Sequence, residues 1–316
     1  MSRLTLTLPS LLSPDQCLAA MHAAAPNLDR LLRRGWPSPP EPSLTGLCCR
    51  FLGLGTGSAP PVAPLTARAD GLDGASGYWL RLDPGYLEPG MGGLIFTPAS
   101  HLGLRTDEAH GLAETVRGAW EQDQAGGRLL SPVPGRWYVH LGTEPDLDTT
   151  PLDHIGSDYL TPHLPRGTDA LAWMRRVNDA QMHLHDHPVN RARETAGLAP
   201  INGLWLWGGG RLPKLPDTPG VILGGDDEIQ ALAQGAGAAT SPLPESVSGI
   251  PMGPALAILP ALTDGYGLAE ELAQLDRQWF KPLLSALRRG RLTRLELHAA
   301  GRSVTLNPAA VWQFWR

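Results

Sequence analysis

The strongest constraint on the fold is an apolar run that leads directly into a series of glycines. Residues 203–207 (GLWLW) are apolar at four of five positions, and Gly208, Gly209 and Gly210 connect them to Arg211. Apolar runs of this length, bounded by glycine, are typical of buried strands in α/β sheets. A glycine turn after such a strand brings bare backbone close to an anionic ligand. The pattern therefore predicts an α/β domain with an anion-facing turn.

Other segments agree with an α/β chain. Residues 4–8 alternate between leucine and threonine, which predicts a strand, and residues 13–16 (SPDQ) form a capping box that opens a helix to about residue 24. A second helix is predicted over 26–34, where two arginines precede Gly35. Further helices are predicted at 106–120, 168–187 and 267–289, strands at 78–82, 93–96 and 136–141, and a hairpin at 292–306 that turns at Ala300 and Gly301.

The length of the chain predicts about two domains, since domains average roughly 150 residues. The order of the elements suggests a core that is interrupted by a mixed segment. We predict that residues 1–105 and 196–316 form a split α/β core, and that residues 106–195 form an inserted α+β subdomain.

Composition limits the classes of function. The net charge of −5 and the pI of about 6.0 argue against a general nucleic-acid binder. No apolar run approaches 18 residues, so no membrane segment is expected. Three cysteines are too few for a disulfide framework, and no signal peptide is visible, so a cytoplasmic location is expected.

Two groups of side chains suggest other sites. His183, His185 and His187 surround Asp186, and the two outer histidines are four residues apart, so they share a helix face and can bind one metal. The alternative is that these polar residues end a helix before Pro188. The second group is a C-terminal basic and aromatic set, which forms either a binding patch or a capped helix with core tryptophans: Arg288, Arg289, Arg291, Arg294, Arg302, Arg316, Trp279, Trp312 and Trp315.

Residues 187–216 resemble the archaeal-type cofactor-independent phosphoglycerate mutases of the alkaline phosphatase superfamily. The likeness lies in the pattern H-P-V-N-x-x-R-x-x-x-G-x-x-x-x-N, followed by the apolar strand and the glycines. It extends to 26–31 (an early helix), 67–70 (an arginine-bearing strand), 150–156 with 164–167 (an insertion loop) and 268–284 (a late helix). The chain also resembles a bacterial subgroup known as Rpf-type regulatory or phosphoglycerate-mutase-like proteins.

The resemblance implies an alkaline-phosphatase-like, three-layer core with a mainly parallel sheet. Active members use a serine nucleophile and two metal ions, which need about six Asp and His ligands. Here no carboxylate follows the first strand, and Ser43, the nearest candidate nucleophile, precedes Leu44 rather than aspartate. Asp264 and His298 are what remains of the later ligand pairs. The resemblance therefore implies a degenerate member without a cofactor.

The ligand-facing half of the site is more complete. The resemblance implies that the following residues bind a small phosphorylated or carboxylated ligand: Arg68, His187, Asn190, Arg193, Asn202, Gly209, Arg211 and Lys214. For Asn190, Arg193 and Asn202 the alternative is a structural role in buried hydrogen bonds.

Three functional hypotheses follow. The first is a non-catalytic regulatory protein that binds a small anion or a protein partner. The second is an active metal-dependent phosphoglycerate mutase or phosphohydrolase, with Mn or Zn held by rearranged ligands such as the histidines of 183–187. The third is a regulatory scaffold that binds no ligand and acts through its C-terminal arginine and tryptophan surface.

Overall fold

A computed structural model describes residues 3–9, 21–39, 43–54, 60–121, 127–155, 159–217, 220–262 and 267–311. The strands are β1 (Arg3–Leu8), β2 (Trp36–Pro37), β3 (Tyr78–Gly90), β4 (Gly93–Pro98), β5 (Arg128–Val133), β6 (Arg136–Leu141), β7 (Gly203–Gly210), β8 (Val221–Leu223), β9 (Ala239–Ser241), β10 (Pro254–Ile258), β11 (Arg294–Ala299) and β12 (Arg302–Leu306). The α-helices are α1 (Pro26–Arg34), α2 (Leu44–Phe51), α3 (Val62–Ala69), α4 (Thr106–Trp120), α5 (Leu152–Ile155), α6 (Ala170–His185), α7 (Pro188–Thr195), α8 (Asp227–Gly235), α9 (Leu268–Leu275), α10 (Lys281–Arg288) and α11 (Pro308–Val311).

The chain divides into two compact units. The first unit combines Met1–Gly53 with Leu215–Arg316, and the second unit is Leu54–Lys214. The first unit contains a seven-stranded sheet in the order β2-β12-β11-β1-β10-β8-β9. Strand β1 runs parallel to β10 and β11, and β8 runs parallel to β10 and β9, so the expected mainly parallel sheet is confirmed.

Helices cover both faces of this sheet. Leu4 of β1 points to one face, where it shares a core with Leu28 of α1 and Leu283 of α10. On the opposite face, Phe51 of α2 lies against Gly220, beside β8, and α2 contacts α8. The first unit therefore has the three-layer α/β arrangement.

Local sequence signals in the first unit match the structure closely. Strand β1 and helix α1 confirm the predicted strand at 4–8 and the predicted helix at 26–34, whereas most of the predicted helix at 13–24 lies outside the described residues. Strands β11 and β12 pair antiparallel around Ala300 and Gly301, whose φ angles of 52° and 67° are those of a tight hairpin turn. The predicted helix at 267–289 is interrupted by a π-helical turn, Asp276–Phe280, just before the proline at 282.

The second unit contains an antiparallel sheet, in which β4-β3-β6-β5 are neighbours and β7 pairs with β3. Helices α4 and α6 share a core with one face of this sheet, and α3 packs against the other face. Strands β3, β4 and β7 thus pair inside the second unit, although 78–105 and 196–210 were assigned to the core from sequence. The inserted unit, Leu54–Lys214, therefore extends beyond 106–195, because β6 pairs with β3 from the preceding segment and β3 in turn pairs with β7 from the following segment.

No helix within the described ranges is both long and apolar enough to cross a membrane.

Candidate functional site

The candidate site in the first unit lies where β11 and β12 pair. His298 and Ser303 are direct cross-strand neighbours, and His298 Nδ1 lies 2.7 Å from Ser303 Oγ. Glu296, two residues earlier on β11, shares the face of His298, and its Oε1 lies 3.1 Å from His298 Nε2. Arg50, near the end of α2, reaches the same carboxylate with Nη1 at 2.7 Å. We call these four side chains the Arg50 cluster.

The charges of the Arg50 cluster are matched internally. The hydrogen bond from His298, together with the hydrogen bond and charge of Arg50, lowers the pKa of Glu296 to about 2 despite partial burial. An ionised Glu296 only accepts, so His298 Nε2–H donates to it. Nδ1 of His298 lies at hydrogen-bond distance from the Ser303 hydroxyl, which can donate or accept. Both ring nitrogens of His298 are occupied in this arrangement.

The Arg50 cluster does not fit the metal ions that the family resemblance implies. A metal ligand needs a free lone pair, but both ring nitrogens of His298 already have hydrogen-bond partners, Ser303 and Glu296. The positive charge beside Glu296 is the Arg50 guanidinium, which also lies 3.4 Å from His298 Nε2. Across the described part of the chain, no three His, Cys, Asp or Glu side chains are grouped to hold a metal. Asp264, the other predicted remnant, lies outside the described residues.

Ser43, the candidate nucleophile, occupies the N-cap of α2. Its side chain accepts a hydrogen bond from Gly46 N–H at 2.9 Å, and the residue is buried. This contact satisfies one of the open N–H groups of the helix, which is the usual role of serine at this position. The structure thus gives Ser43 a capping role and pairs His298 with Ser303.

Three of the predicted ligand-binding residues are engaged inside the second unit. Arg193 is 1% exposed and donates to Glu108 Oε2 at 2.9 Å and to the carbonyls of Ala199 and Leu102 at 2.9 and 2.7 Å. Asn190 donates to two carbonyls and accepts from Ile201 N–H.

Asn202, the third, pairs with both backbone groups of Leu87, accepting at 2.7 Å and donating at 3.3 Å. With Asn190 and Arg193 it ties the ends of β3, α4, α6 and α7 to the segment before β7. The contacts of all three side chains support the structural alternative.

The predicted histidine group does not gather around one point. His187 is the N-cap of α7, where Nδ1 accepts from Val189 N–H at 3.2 Å, and burial lowers the pKa of its imidazole. His183, His185 and Asp186 are exposed at the end of α6. The polar helix end before the proline at 188 is the interpretation that matches this geometry.

The glycines that follow the apolar run lie within β7, so the predicted anion-facing turn is wrong. Gly208 has a φ of 67°, and the β3–β7 register shifts beside it, as in a β-bulge. A Cβ on Gly209 would lie 2.5 Å from Tyr78 Oη, and one on Gly210 would lie 2.6 Å from Pro61 Cβ. These glycines therefore allow close packing of protein atoms on the strand.

Three of the predicted cations are on the surface of the second unit. Arg68 lies in the last turn of α3, so the expected arginine-bearing strand at 67–70 is in fact a helix end. Arg211 and Lys214 follow β7 in an exposed loop, and Arg211 Nε lies 3.8 Å from Glu144. At most a weak ion pair therefore competes for Arg211.

A buried ionic group was missed at the level of sequence. Arg81 and Asp83 of β3 form a two-point ion pair at 2.9 and 2.8 Å, with side chains that are 1% and 2% exposed. The Arg81 guanidinium lies between the rings of Tyr138 and Trp207, whose centroids are 5.4 and 5.1 Å away. Trp207 also donates to Asp83 at 2.7 Å. The sequence signal for this ion pair is an arginine and an aspartate two residues apart in an apolar strand, a spacing that places both side chains on one face.

The C-terminal basic and aromatic group is divided between surface and core. Trp279 is buried in the core of the first unit, whereas Trp312, Trp315 and Arg316 lie outside the described residues. The remaining members are exposed: Arg288, Arg289, Arg291, Arg294 and Arg302.

The class that these features define is an α/β protein with a mainly parallel, three-layer unit and an inserted antiparallel unit. No protein-family model matches the chain. Its relatives by sequence are cofactor-independent phosphoglycerate mutases of the alkaline phosphatase superfamily, at low identity and over part of the chain, which confirms the resemblance.

One such relative is a probable 2,3-bisphosphoglycerate-independent phosphoglycerate mutase of Geobacter sulfurreducens, 28% identical over 158 residues, or 48% of this chain and 38% of the relative. Another, a 2,3-bisphosphoglycerate-independent phosphoglycerate mutase of Methanothrix thermoacetophila, is 36% identical over 118 residues, or 35% of this chain and 30% of the relative. The matches thus span well under half of the relatives' lengths.

Two solved structures are similar over nearly the whole chain. The cofactor-independent phosphoglycerate mutase of Thermoplasma acidophilum is 17% identical, with 97% of this chain and 90% of that chain covered and a TM-score of 0.46. The PH0037 protein of Pyrococcus horikoshii is 15% identical, with coverages of 96% and 86% and a TM-score of 0.49.

Proposed function

We propose that this chain is a phosphoglycerate-mutase-like binding protein with a regulatory role, in which the Arg50 guanidinium provides the positive charge that metal ions provide in a two-metal enzyme. The observation that carries the proposal is the Arg50 cluster. His298 has both ring nitrogens in hydrogen bonds, and Glu296 is neutralised by Arg50.

The proposed ligand is a small phosphorylated or carboxylated molecule. Arg211 and Lys214 support it, because both cations are exposed and lie three residues apart in one loop. The names of the relatives suggest phosphoglycerate as the first compound to test. Arginine and lysine bind phosphate and carboxylate groups by charge-assisted hydrogen bonds.

A thermal-shift titration with 3-phosphoglycerate tests this binding. A ligand that binds only the folded protein stabilises it by RT ln(1 + [L]/Kd), so the melting temperature keeps rising with ligand concentration. We expect a concentration-dependent rise that is lost in the Arg211→Ala, Lys214→Ala double variant. It should persist in the matched control Arg288→Ala, Arg289→Ala, which removes two exposed cations elsewhere. No shift in the wild type, or an equal shift in both double variants, would overturn the proposed ligand site.

A metal-dependent mutase assay tests the non-catalytic part. We expect no turnover of phosphoglycerate when Mn²⁺ or Zn²⁺ is added. Turnover that disappears in His298→Ala would favour the active-enzyme hypothesis and contradict the proposal.

A further inference from the structure

Three strand ends meet at one edge of the antiparallel sheet in the second unit. Strands β6 and β7 flank β3 and both run antiparallel to it, so they end at the edge where β3 begins. The register pairs Tyr78, at the start of β3, with Leu141, at the end of β6. The next residue of β3, Trp79, pairs with Gly210, at the end of β7. The residues that follow β6 and β7 therefore emerge on either side of Tyr78.

The two chain segments that leave this edge carry opposite charges. Glu144 comes three residues after β6, and Arg211 comes directly after β7. Arg211 Nε lies 3.8 Å from Glu144 Oε2, so this ion pair connects the two segments past the start of β3. Both side chains are more than half exposed, and exposed ion pairs are weak because water screens them. An anion from solution can therefore compete with Glu144 for Arg211.

The hydroxyl of Tyr78 lies against the last residues of β7. A Cβ on Gly209 would lie 2.5 Å from Tyr78 Oη, so the glycine leaves the space that the hydroxyl occupies. The alternation of side chains along β7, continued by one residue, places Arg211 on the face of Gly209, about 7 Å further along. Tyr78 is only 6% exposed, and no residue in the described part of the chain accepts a hydrogen bond from its hydroxyl. This nearly buried donor is thus available to a ligand.

The charges of both segments act on this hydroxyl. Burial and the negative charge of Glu144 raise the pKa of Tyr78 to about 12, and the positive charge of Arg211 opposes that rise. With so high a pKa, Tyr78 keeps its proton at neutral pH and can donate a hydrogen bond to an anion. Arg211 adds a fixed positive charge and several further N–H donors.

We infer that the Tyr78 hydroxyl and the Arg211 guanidinium together bind one anionic group, a phosphate or a carboxylate, and that Glu144 competes with that group. The inference rests on the proposed function, because Arg211 belongs to the proposed ligand site. The Glu144 carboxylate lies beside Arg211, as the anion of a ligand would, but among the described contacts it accepts no hydrogen bond from Tyr78. A ligand that displaces Glu144 accepts from both donors. Tyr78 is thus a specificity-determining residue, and Glu144 limits how tightly the anion binds.

Calorimetric titration of the whole chain with 3-phosphoglycerate tests the role of Tyr78. Tyr78→Phe should raise the dissociation constant about tenfold or more, because a hydrogen bond to a charged group contributes roughly that factor. The urea midpoint should stay unchanged, because the hydroxyl has no hydrogen-bond partner to lose within the described residues. The matched control is Tyr86→Phe, which removes the hydroxyl of another tyrosine of β3 and should leave the dissociation constant as it is.

Glu144→Gln tests the competition in the opposite direction. The variant keeps the size of the side chain but removes its negative charge, so the ligand no longer has to displace a carboxylate from Arg211. We expect the dissociation constant to fall about two- to fivefold, the range that an exposed ion pair allows. Glu88→Gln is the matched control, because it removes an exposed carboxylate elsewhere on β3 and should leave the dissociation constant unchanged.

The outcomes for the inference and for the proposed ligand site are separable. A Tyr78→Phe variant that binds 3-phosphoglycerate as tightly as the wild type would overturn the inference. If the Arg211→Ala, Lys214→Ala double variant still abolished binding in that case, the proposed ligand site would stand without it. A Glu144→Gln variant that binds no more tightly than Glu88→Gln would overturn the competition. A wild type that binds no 3-phosphoglycerate would overturn both the inference and the proposed ligand.

Discussion

Replacing Arg193 by methionine should destabilise the second unit severely. Arg193 donates three hydrogen bonds from a side chain that is 1% exposed, and one of them goes to the buried carboxylate of Glu108. Methionine keeps most of the volume but leaves that carboxylate and two carbonyls with fewer partners. Breaking a buried ion pair from one side costs about 3–5 kcal/mol. The remaining hydrogen bond from Arg105 N–H to Glu108 should keep the loss near the lower limit.

Urea unfolding followed by tryptophan fluorescence measures this loss. The matched control is Arg191→Met on the same helix, where the arginine is exposed and lies 3.7 Å from Asp186, so we expect a change below about 0.5 kcal/mol. A double-mutant cycle with Glu108→Gln should show a coupling energy of about 1–3 kcal/mol between the two sites. If Arg193→Met changed stability by less than about 1 kcal/mol yet abolished ligand binding, the structural role of Arg193 would be refuted.

Three further variants test packing, capping and charge. Gly209→Ala should lower the free energy of unfolding by about 1–3 kcal/mol, because the new Cβ would collide with Tyr78. The control Gly142→Ala places its Cβ in open space. Equal melting temperatures for the two variants would contradict this prediction. Asp276→Ala should cost about 1–2 kcal/mol by urea unfolding, because Asp276 accepts from two N–H groups at the start of α1, and an unchanged midpoint would count against that long-range cap. Glu296→Gln should make stability depend less on pH in acid. In the wild type the lowered pKa of Glu296 stabilises the folded state at pH values above 4.5, the ordinary pKa of the group. That stability is lost as the pH falls towards about 2, the pKa in the folded state. Parallel acid curves for the two proteins would contradict the role of Glu296.

The fold was predictable where local signals and tertiary packing agree. Helix α1 begins at a proline and ends before a glycine, and the β11–β12 hairpin turns at Ala300 and Gly301 as expected. The extent of the inserted unit was not predictable, because only tertiary pairing shows that β3 takes β6 and β7 as neighbours. The apolar character of 203–207 indicates a buried strand but does not reveal whether its partner runs parallel or antiparallel.

The candidate site was less predictable than the fold. His298 was identified through the family resemblance, as what remains of a late ligand pair, but Ser303 is its neighbour only because the hairpin register pairs them. Arg50 comes from a helix nearly 250 positions away, and no spacing rule connects it to Glu296. Arg193 has the residue type of an anion ligand, and only its depth of burial and its three acceptors distinguish it from one.

Metal binding by the purified protein tests the central claim most directly. The measurement is the amount of Mn²⁺ or Zn²⁺ bound per chain at equilibrium, for the wild type and for His298→Ala. Arg50 already pairs with Glu296, and Ser303 already pairs with His298, so neither side chain is open to a metal ion. We therefore expect no stoichiometric binding that depends on His298. One or two tightly bound ions per chain, lost in His298→Ala, would contradict the account.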